Sequence, residues 1–218
     1  MSLSAPAAPV VTTGDPSPFL YPVALNVRGR RCVVVGGGSV GARKAMALLA
    51  AEAVVTVIAP EAGEALRVLA QDGRVTFLSE MFSPEQLEEA FLVIAATNRS
   101  EVNQMVAEAA RARGVLLNLA AEAEEEAGDF AAMATVRRGD LVIGVTTGGA
   151  GPALTSRVRQ DLEARFGLYW ENYVALLGAM RGVAKREIAD PDERAKALRR
   201  LAASEEVRRR MAGSEGSA

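Results

Sequence analysis

The stretch that most constrains this chain is Cys32–Val35 followed by Gly36, Gly38 and Gly41, in the order G-x-G-x-x-G. Cys32–Val35 is a short, apolar, β-branched run of the kind that forms a buried strand. Ala42–Leu49, rich in helix formers and carrying an apolar stripe, predicts the helix that follows. Between strand and helix each glycine has a physical task. Gly36 permits the tight turn, Gly38 lets backbone approach a pyrophosphate, and Gly41 lets helix pack closely on strand. Phosphates would then rest on free N–H groups at the positive helix end, so the stretch predicts a dinucleotide site.

Strands and helices then alternate. Val54–Ile58, Val75–Leu78, Phe91–Ala96 and Val115–Leu119 read as further strands. Glu61–Gln71, Pro84–Ala90 and Glu101–Arg113 read as the helices between them, with Ser83 as an N-cap and Gly114 as a stop. Phe19–Val27 is extended and apolar, and is expected to add an edge strand. This rhythm predicts a Rossmann-type α/β fold with a doubly wound parallel sheet. After Asn118 the pattern changes. Ala120–Gly128 is small and acidic, and Phe130–Arg137 with Leu141–Thr147 flank Arg138-Gly139-Asp140 as an antiparallel hairpin. Helices are expected over Pro152–Phe166, Tyr169–Lys185, Pro191–Ala202 and Glu205–Met211. The expected divisions are a flexible lead-in at 1–18, a nucleotide domain at 19–115, a hairpin module at 116–150, a helical module at 151–212 and a tail at 213–218. So small a hairpin cannot bury both faces alone, and pairing with a second copy about a two-fold axis is the expected solution.

Composition narrows the chemistry. The chain has no histidine, which excludes His–Cys zinc clusters, Ser–His–Asp triads and imidazole acid–base work; no metal site is expected. Proton transfer falls to carboxylates, Lys, Tyr, substrate groups or water. The lone cysteine, Cys32, reads as a core residue and fits a reducing cytoplasm. A net charge of −2 provides no global field for nucleic acid or anionic membrane. No apolar run is long enough to span a bilayer, and the N-terminus lacks signal-peptide features.

The second strand ends at Ala59-Pro60-Glu61, where an acidic residue usually accepts ribose hydroxyls. Glu61 lies 20 residues beyond Gly41 with no arginine close by, which favours NAD over NADP. It also suits a helix N-terminus, and both roles can hold. Thr97 and Asn98 end the fourth strand, either facing the cofactor or capping the next helix.

Four segments together resemble one family: Tyr21–Leu25 through Val35–Lys44, Val93–Asn98, Asn118 with Asp129-Phe130 and Val136–Gly139, and Thr146–Leu154. They are similar to precorrin-2 dehydrogenase, the dehydrogenase and ferrochelatase module of sirohaem synthase. The resemblance spans roughly residues 19–200. It implies NAD-dependent oxidation of precorrin-2 to sirohydrochlorin, sometimes with iron insertion, by a homodimer that binds the tetrapyrrole in a cleft between the nucleotide domain and the paired lower modules. Gly36, Gly38, Ser39, Val40 and Gly41 would serve the phosphates. Pro60 and Glu61 would lie near the adenosine ribose, and Thr97 and Asn98 along the cofactor. Arg137, Arg138 and Arg157, with Thr147, Gly148 and Gly149 of the Pro-turn, are the substrate-binding positions it implies.

One departure falls at the chemistry. The family's Asn-x-x-Asp aspartate corresponds to Ala121, and the segment to Asp129 is two residues longer than usual. Glu122 or Asp129 would have to substitute, or the acidic run is only a solvated loop. The Pro-turn also has Gly151 where serine is frequent. Dehydrogenation is therefore expected with chelation weak or absent. The alternatives are a non-catalytic NAD- or tetrapyrrole-binding protein, or a sirohydrochlorin ferrochelatase.

Overall fold

A computed structural model of the chain describes residues 21–120, 128–149 and 151–213. They fall into two compact units divided between Ala132 and Met133.

The first unit is built on five parallel strands. In chain order its elements are β1 (Arg31–Val35), α1 (Ser39–Ala50), β2 (Val54–Ile58), α2 (Glu64–Gln71), β3 (Thr76–Leu78), a 3-10 turn (Pro84–Leu87), β4 (Leu92–Ala95), α3 (Ser100–Arg113) and β5 (Leu116–Leu119). The sheet order is β3-β2-β1-β4-β5. Val33 pairs in register with Thr56 on one side and Val93 on the other. The strands read as unbroken apolar runs because helices cover both faces. Cys32, Val34, Val57 and Ile94 face Ala42 and Ala45 of α1 and Leu66 of α2. Val33, Val93, Ala95 and Leu117 face Val106 and Ala110 of α3 and Leu87. Sheet order reverses between β1 and β4, so the carboxyl ends of these strands open a crevice.

One expectation needs correction. The described part of the expected edge strand, Tyr21–Val27, forms no strand; Tyr21, Val23 and Leu25 are exposed and only Val27 is buried. The sheet instead ends at β3 and β5, and Pro22 has no N–H to offer a ladder. The first unit runs to residue 132. β5 completes the sheet, and the chain returns along its open edge, where Asp129 N–H donates to Leu117 O at 2.8 Å.

The second unit contains β6 (Ala134–Arg138), β7 (Leu141–Val145), α4 (Pro152–Arg165), α5 (Tyr169–Glu187), α6 (Pro191–Ala202) and α7 (Glu205–Gly213). β6 and β7 form the expected antiparallel hairpin, with Val136 opposite Ile143 and Gly139 taking φ +56° at the turn. Val136 is buried, whereas Thr135, Arg137, Val142 and Gly144 are exposed. Phe166, Trp170 and Tyr173 stack along α4 and α5, and the Tyr173 hydroxyl donates to Ala202 O at 3.0 Å. Asp190 caps α6 by accepting N–H groups from Asp192 and Glu193. Among the described residues no helix is long and apolar enough to cross a membrane.

Cys32 lies at the centre of the sheet, fully buried. Burial raises its thiol pKa from 9.0 to about 11, with Arg30 pulling weakly the other way. Native protein is therefore expected to resist Ellman's reagent at pH 8 and to react once unfolded in urea. The raised value has a stability consequence. The buried thiol's contribution is complete below pH 9 and is lost as pH climbs from 9 towards 11, because the unfolded chain ionises first. A native thiol that reacts as fast as the denatured one contradicts this packing.

Candidate active site

The crevice at the carboxyl edge of the first unit is a cleft of about 830 Å³. Its floor is the glycine loop, and each glycine there answers to a specific neighbour. Gly36 takes φ +135°, and its N–H donates to Ile58 O at 2.9 Å. A Cβ on Gly36 would strike the carbonyl of Ala96, and one on Gly37 would strike that of Glu61. A Cβ on Gly41 would strike the Gly36 carbonyl. The loop is thus pressed between the ends of β2 and β4, with α1 seated directly behind it.

Gly38 is different. It has ordinary backbone angles as the N-cap of α1, and a Cβ there meets nothing within 4 Å. The space it leaves is the cleft itself. The first helical bond of α1 runs from Ala42 N–H to Gly38 O, so the N–H groups of Ser39, Val40 and Gly41 precede the ladder. No side chain caps them. A backbone hollow at the positive end of a helix fits a pyrophosphate.

Of the nine expected cofactor residues, Gly36, Gly38, Ser39, Val40, Pro60, Glu61, Thr97 and Asn98 line this one cleft, and Gly41 stands immediately behind. The Thr97 hydroxyl is engaged within the turn. It donates to Asn103 Oδ1 at 2.7 Å and accepts the Arg99 N–H at 3.2 Å. Asn103 is 1% exposed, and its Nδ2 returns a bond to Thr97 O at 3.2 Å. Sequence reasoning missed Asn103. The only signal was an asparagine on the otherwise apolar face of α3.

Gly37, Arg43, Met81, Phe82, Ala96, Arg99 and Ala120 also line the cleft without having been expected. Arg43 and Arg99 bring positive charge to a site whose only lining carboxylate among the described residues is Glu61.

The expected catalytic positions fare differently. Ala121 and Glu122 lie outside the described residues. Asp129 lies beside the middle of β5 rather than in the cleft, and its Oδ2 accepts the Leu117 N–H at 2.9 Å.

The expected substrate-binding residues belong to the second unit. Arg137 is exposed on β6. Arg138 donates to the carbonyls of Phe166 at 2.7 Å, Arg137 at 2.8 Å and Glu163 at 3.3 Å, which ties the hairpin to the end of α4. Arg157 pairs with Asp161 at 3.1 Å on the surface of α4. Thr147 Oγ1 accepts the Gly151 N–H, and Gly148 and Gly149 adopt positive φ in the turn before α4.

A family model described as putative NAD(P)-binding matches residues 23–133. The chain belongs to this family. A second model, described as sirohaem biosynthesis protein central, matches residues 138–165. A siroheme synthase of Chromobacterium violaceum is 36% identical over 174 residues, covering 80% of this chain and 37% of that protein. A siroheme synthase of Nitrosococcus oceani is 41% identical over 142 residues, 65% of this chain and 30% of that protein. The chain thus spans about a third of the length of these relatives. The solved structure of SirC, precorrin-2 dehydrogenase, matches with a TM-score of 0.71 at 24% identity, over 91% of this chain and all of that one. That likeness shows a shared fold. The family resemblance carried by the four motifs is borne out.

Two substitutions separate the loop's structural and cradle roles. Gly36→Ala meets backbone, and is expected to lower the unfolding free energy measured in urea by about 1–3 kcal/mol. Gly38→Ala meets only open space, and is expected to leave that free energy within about 0.5 kcal/mol of wild type while weakening dinucleotide binding in a fluorescence titration with NADH. Equal NADH affinity in Gly38→Ala and wild type contradicts the cradle.

Proposed function

We propose that the protein is an NAD-dependent precorrin-2 dehydrogenase, producing sirohydrochlorin for sirohaem synthesis. The observation that carries the reading is the open hollow at Gly38 in a cleft whose lining carboxylate, among the described residues, is Glu61. The N–H groups of Ser39, Val40 and Gly41 bind the pyrophosphate, which needs no side-chain cation. Glu61, at the end of β2, accepts the adenosine ribose hydroxyls and disfavours the 2′-phosphate of NADP by charge repulsion. Asn98 and the backbone of Thr97, beyond β4, border the nicotinamide end, and Asn103 holds that turn in place. When bound, NAD supplies the hydride acceptor, and the protein's contribution is to hold donor and acceptor carbons together.

The proton released alongside the hydride requires an acceptor. Alanine at 121 cannot serve, and Asp129 is engaged by the Leu117 N–H, so we assign the role to Glu122. Iron insertion also has to dispose of pyrrole protons, and with this carboxylate displaced by one residue the chelatase activity is weak or absent. Arg137, exposed on the hairpin, is the better placed of the hairpin arginines for a substrate carboxylate, because Arg138 is spent on three carbonyls. The exposed apolar Val142 on the same hairpin supports its use as a homodimer contact. The buried free thiol of Cys32 suits a cytoplasmic setting.

A second reading, a non-catalytic NAD- or tetrapyrrole-binding protein, is favoured by Ala121 together with the engagement of Asp129. One anaerobic experiment separates the two. Purified protein, NAD and freshly generated precorrin-2 are expected to yield NADH and sirohydrochlorin, followed by their absorbance. NAD binding without turnover selects the binding protein. In the same assay Glu61→Gln is expected to reduce the preference for NAD over NADP by about tenfold, the loss of a charged hydrogen-bond acceptor. An unchanged preference removes Glu61 from the ribose site.

A further inference from the structure

We infer that Lys44 and Asn118 form a carboxylate-binding subsite at the β5 side of the cleft, taking one acidic side chain of a polycarboxylate substrate. The inference rests on the dehydrogenase reading above, and names a recognition element for its substrate.

The placement follows from helix geometry. Lys44 lies one turn after Val40, which lines the cleft, and side chains on a helix lean towards its N-terminus. The Lys44 stem therefore runs back over Val40 towards the carboxyl edge of the sheet. Its Nζ reaches Asn118 Oδ1 at 3.5 Å. Asn118 is 5% exposed and in register with Ile94. Its Nδ2 donates to Phe130 O at 2.8 Å, which turns the oxygen end of the amide towards the lysine. Two residues further on, Ala120 lines the cleft. The ammonium is thus held where α1 meets the end of β5.

Two neighbouring cations of this unit are committed: Arg31 donates to the carbonyls of Gln86 and Glu88, and Arg30 lies 3.4 Å over the ring of Phe91. Among the described residues Lys44 makes one long contact, to a neutral amide, for an ammonium with three donors. No carboxylate among the described residues forms an ion pair with it. Burial, and then the neighbouring charge of Arg43, pull its pKa below the usual lysine value. A half-buried cation with a cationic neighbour and no ion-pair partner among the described residues gains more from an arriving carboxylate than a solvated surface lysine does. A bond at 3.5 Å to an amide is too long to be the whole reason for burying a charge.

The test is a titration of the full chain with sirohydrochlorin, followed by its visible absorbance, beside an NADH titration and a urea unfolding curve. Lys44→Met is expected to weaken sirohydrochlorin binding tenfold or more, on the order of a charged hydrogen bond. Lys44→Arg, which keeps the charge, is expected to recover most of that loss. NADH affinity and the unfolding midpoint stay at wild-type values in both. Undiminished sirohydrochlorin affinity in Lys44→Met overturns the subsite. So does a loss that Lys44→Arg fails to recover and that accompanies equal losses of NADH affinity and stability, since Lys44 would then be a strut between α1 and β5. Failure of the wild-type chain to bind sirohydrochlorin would instead defeat the dehydrogenase reading itself.

Discussion

Three backbone approaches hold the nucleotide unit together at its carboxyl edge. Gly36 lies against the Ala96 carbonyl, Gly37 against that of Glu61, and Gly41 against that of Gly36. Each is too close for a side chain, and together they fix β1, β2, β4 and α1 relative to one another. The same contacts decide where the cleft can be. With the loop clamped on both flanks, the only direction left open is above Gly38, in front of the N-terminus of α1. The hollow is therefore a consequence of packing, made of backbone that has nowhere else to go. Its shape does not depend on side-chain rotamers, which is why it can present N–H groups without a ligand to order them.

Two buried asparagines extend this frame towards the reactive end. Asn103, from α3, holds the Thr97 turn after β4, and Asn118, within β5, holds the returning chain at Phe130. Each sits in a core that is otherwise apolar, and each finds partners among backbone groups, a hydroxyl or the Lys44 ammonium, as a buried amide must. Apolar residues would pack these places as well. Only a polar side chain can fasten an irregular segment whose own backbone groups lack ladder partners.

Legibility in the sequence followed the kind of constraint at each place. The strand-loop-helix unit was readable because it combines period, composition and glycine spacing over consecutive residues. The hairpin at Gly139 was readable for the same reason. Asn103 was not, because its significance lies in a partner six residues back, and helical periodicity registers it only as a polar exception. The G-x-G-x-x-G spacing passes over Gly37, although the approach of the Glu61 carbonyl leaves it no more room for a side chain than Gly36 has. The edge-strand reading of Tyr21–Val27 failed because alternation of apolar residues reports a tendency to extend, while membership of a sheet requires a free edge with matching N–H groups. Asp129 shows the converse. Position in a motif suggested chemistry, whereas the fold uses its carboxylate to satisfy an N–H on an otherwise open strand.

The charges of the cleft are divided in a way that net charge conceals. The molecule carries −2 overall, yet the described lining contributes one carboxylate, Glu61 after β2, and two guanidinium groups, Arg43 on α1 and Arg99 after β4. Lys44 adds a further cation towards β5. Among the described lining residues, charge therefore changes sign from the β2 side to the α1 and β4 side. A carboxylate suits ribose hydroxyls, which donate. Cations suit a substrate rich in acids, which accepts. On the function proposed above, a dinucleotide laid across the switch point would have its adenosine at the anionic end and its nicotinamide towards the cationic end. An acidic substrate would then be drawn to the end where its hydride is taken, and repelled from the end where it would compete with the ribose. On that reading one charge gradient would orient cofactor and substrate together, from residues placed by the clamped loop and the two strands that flank it.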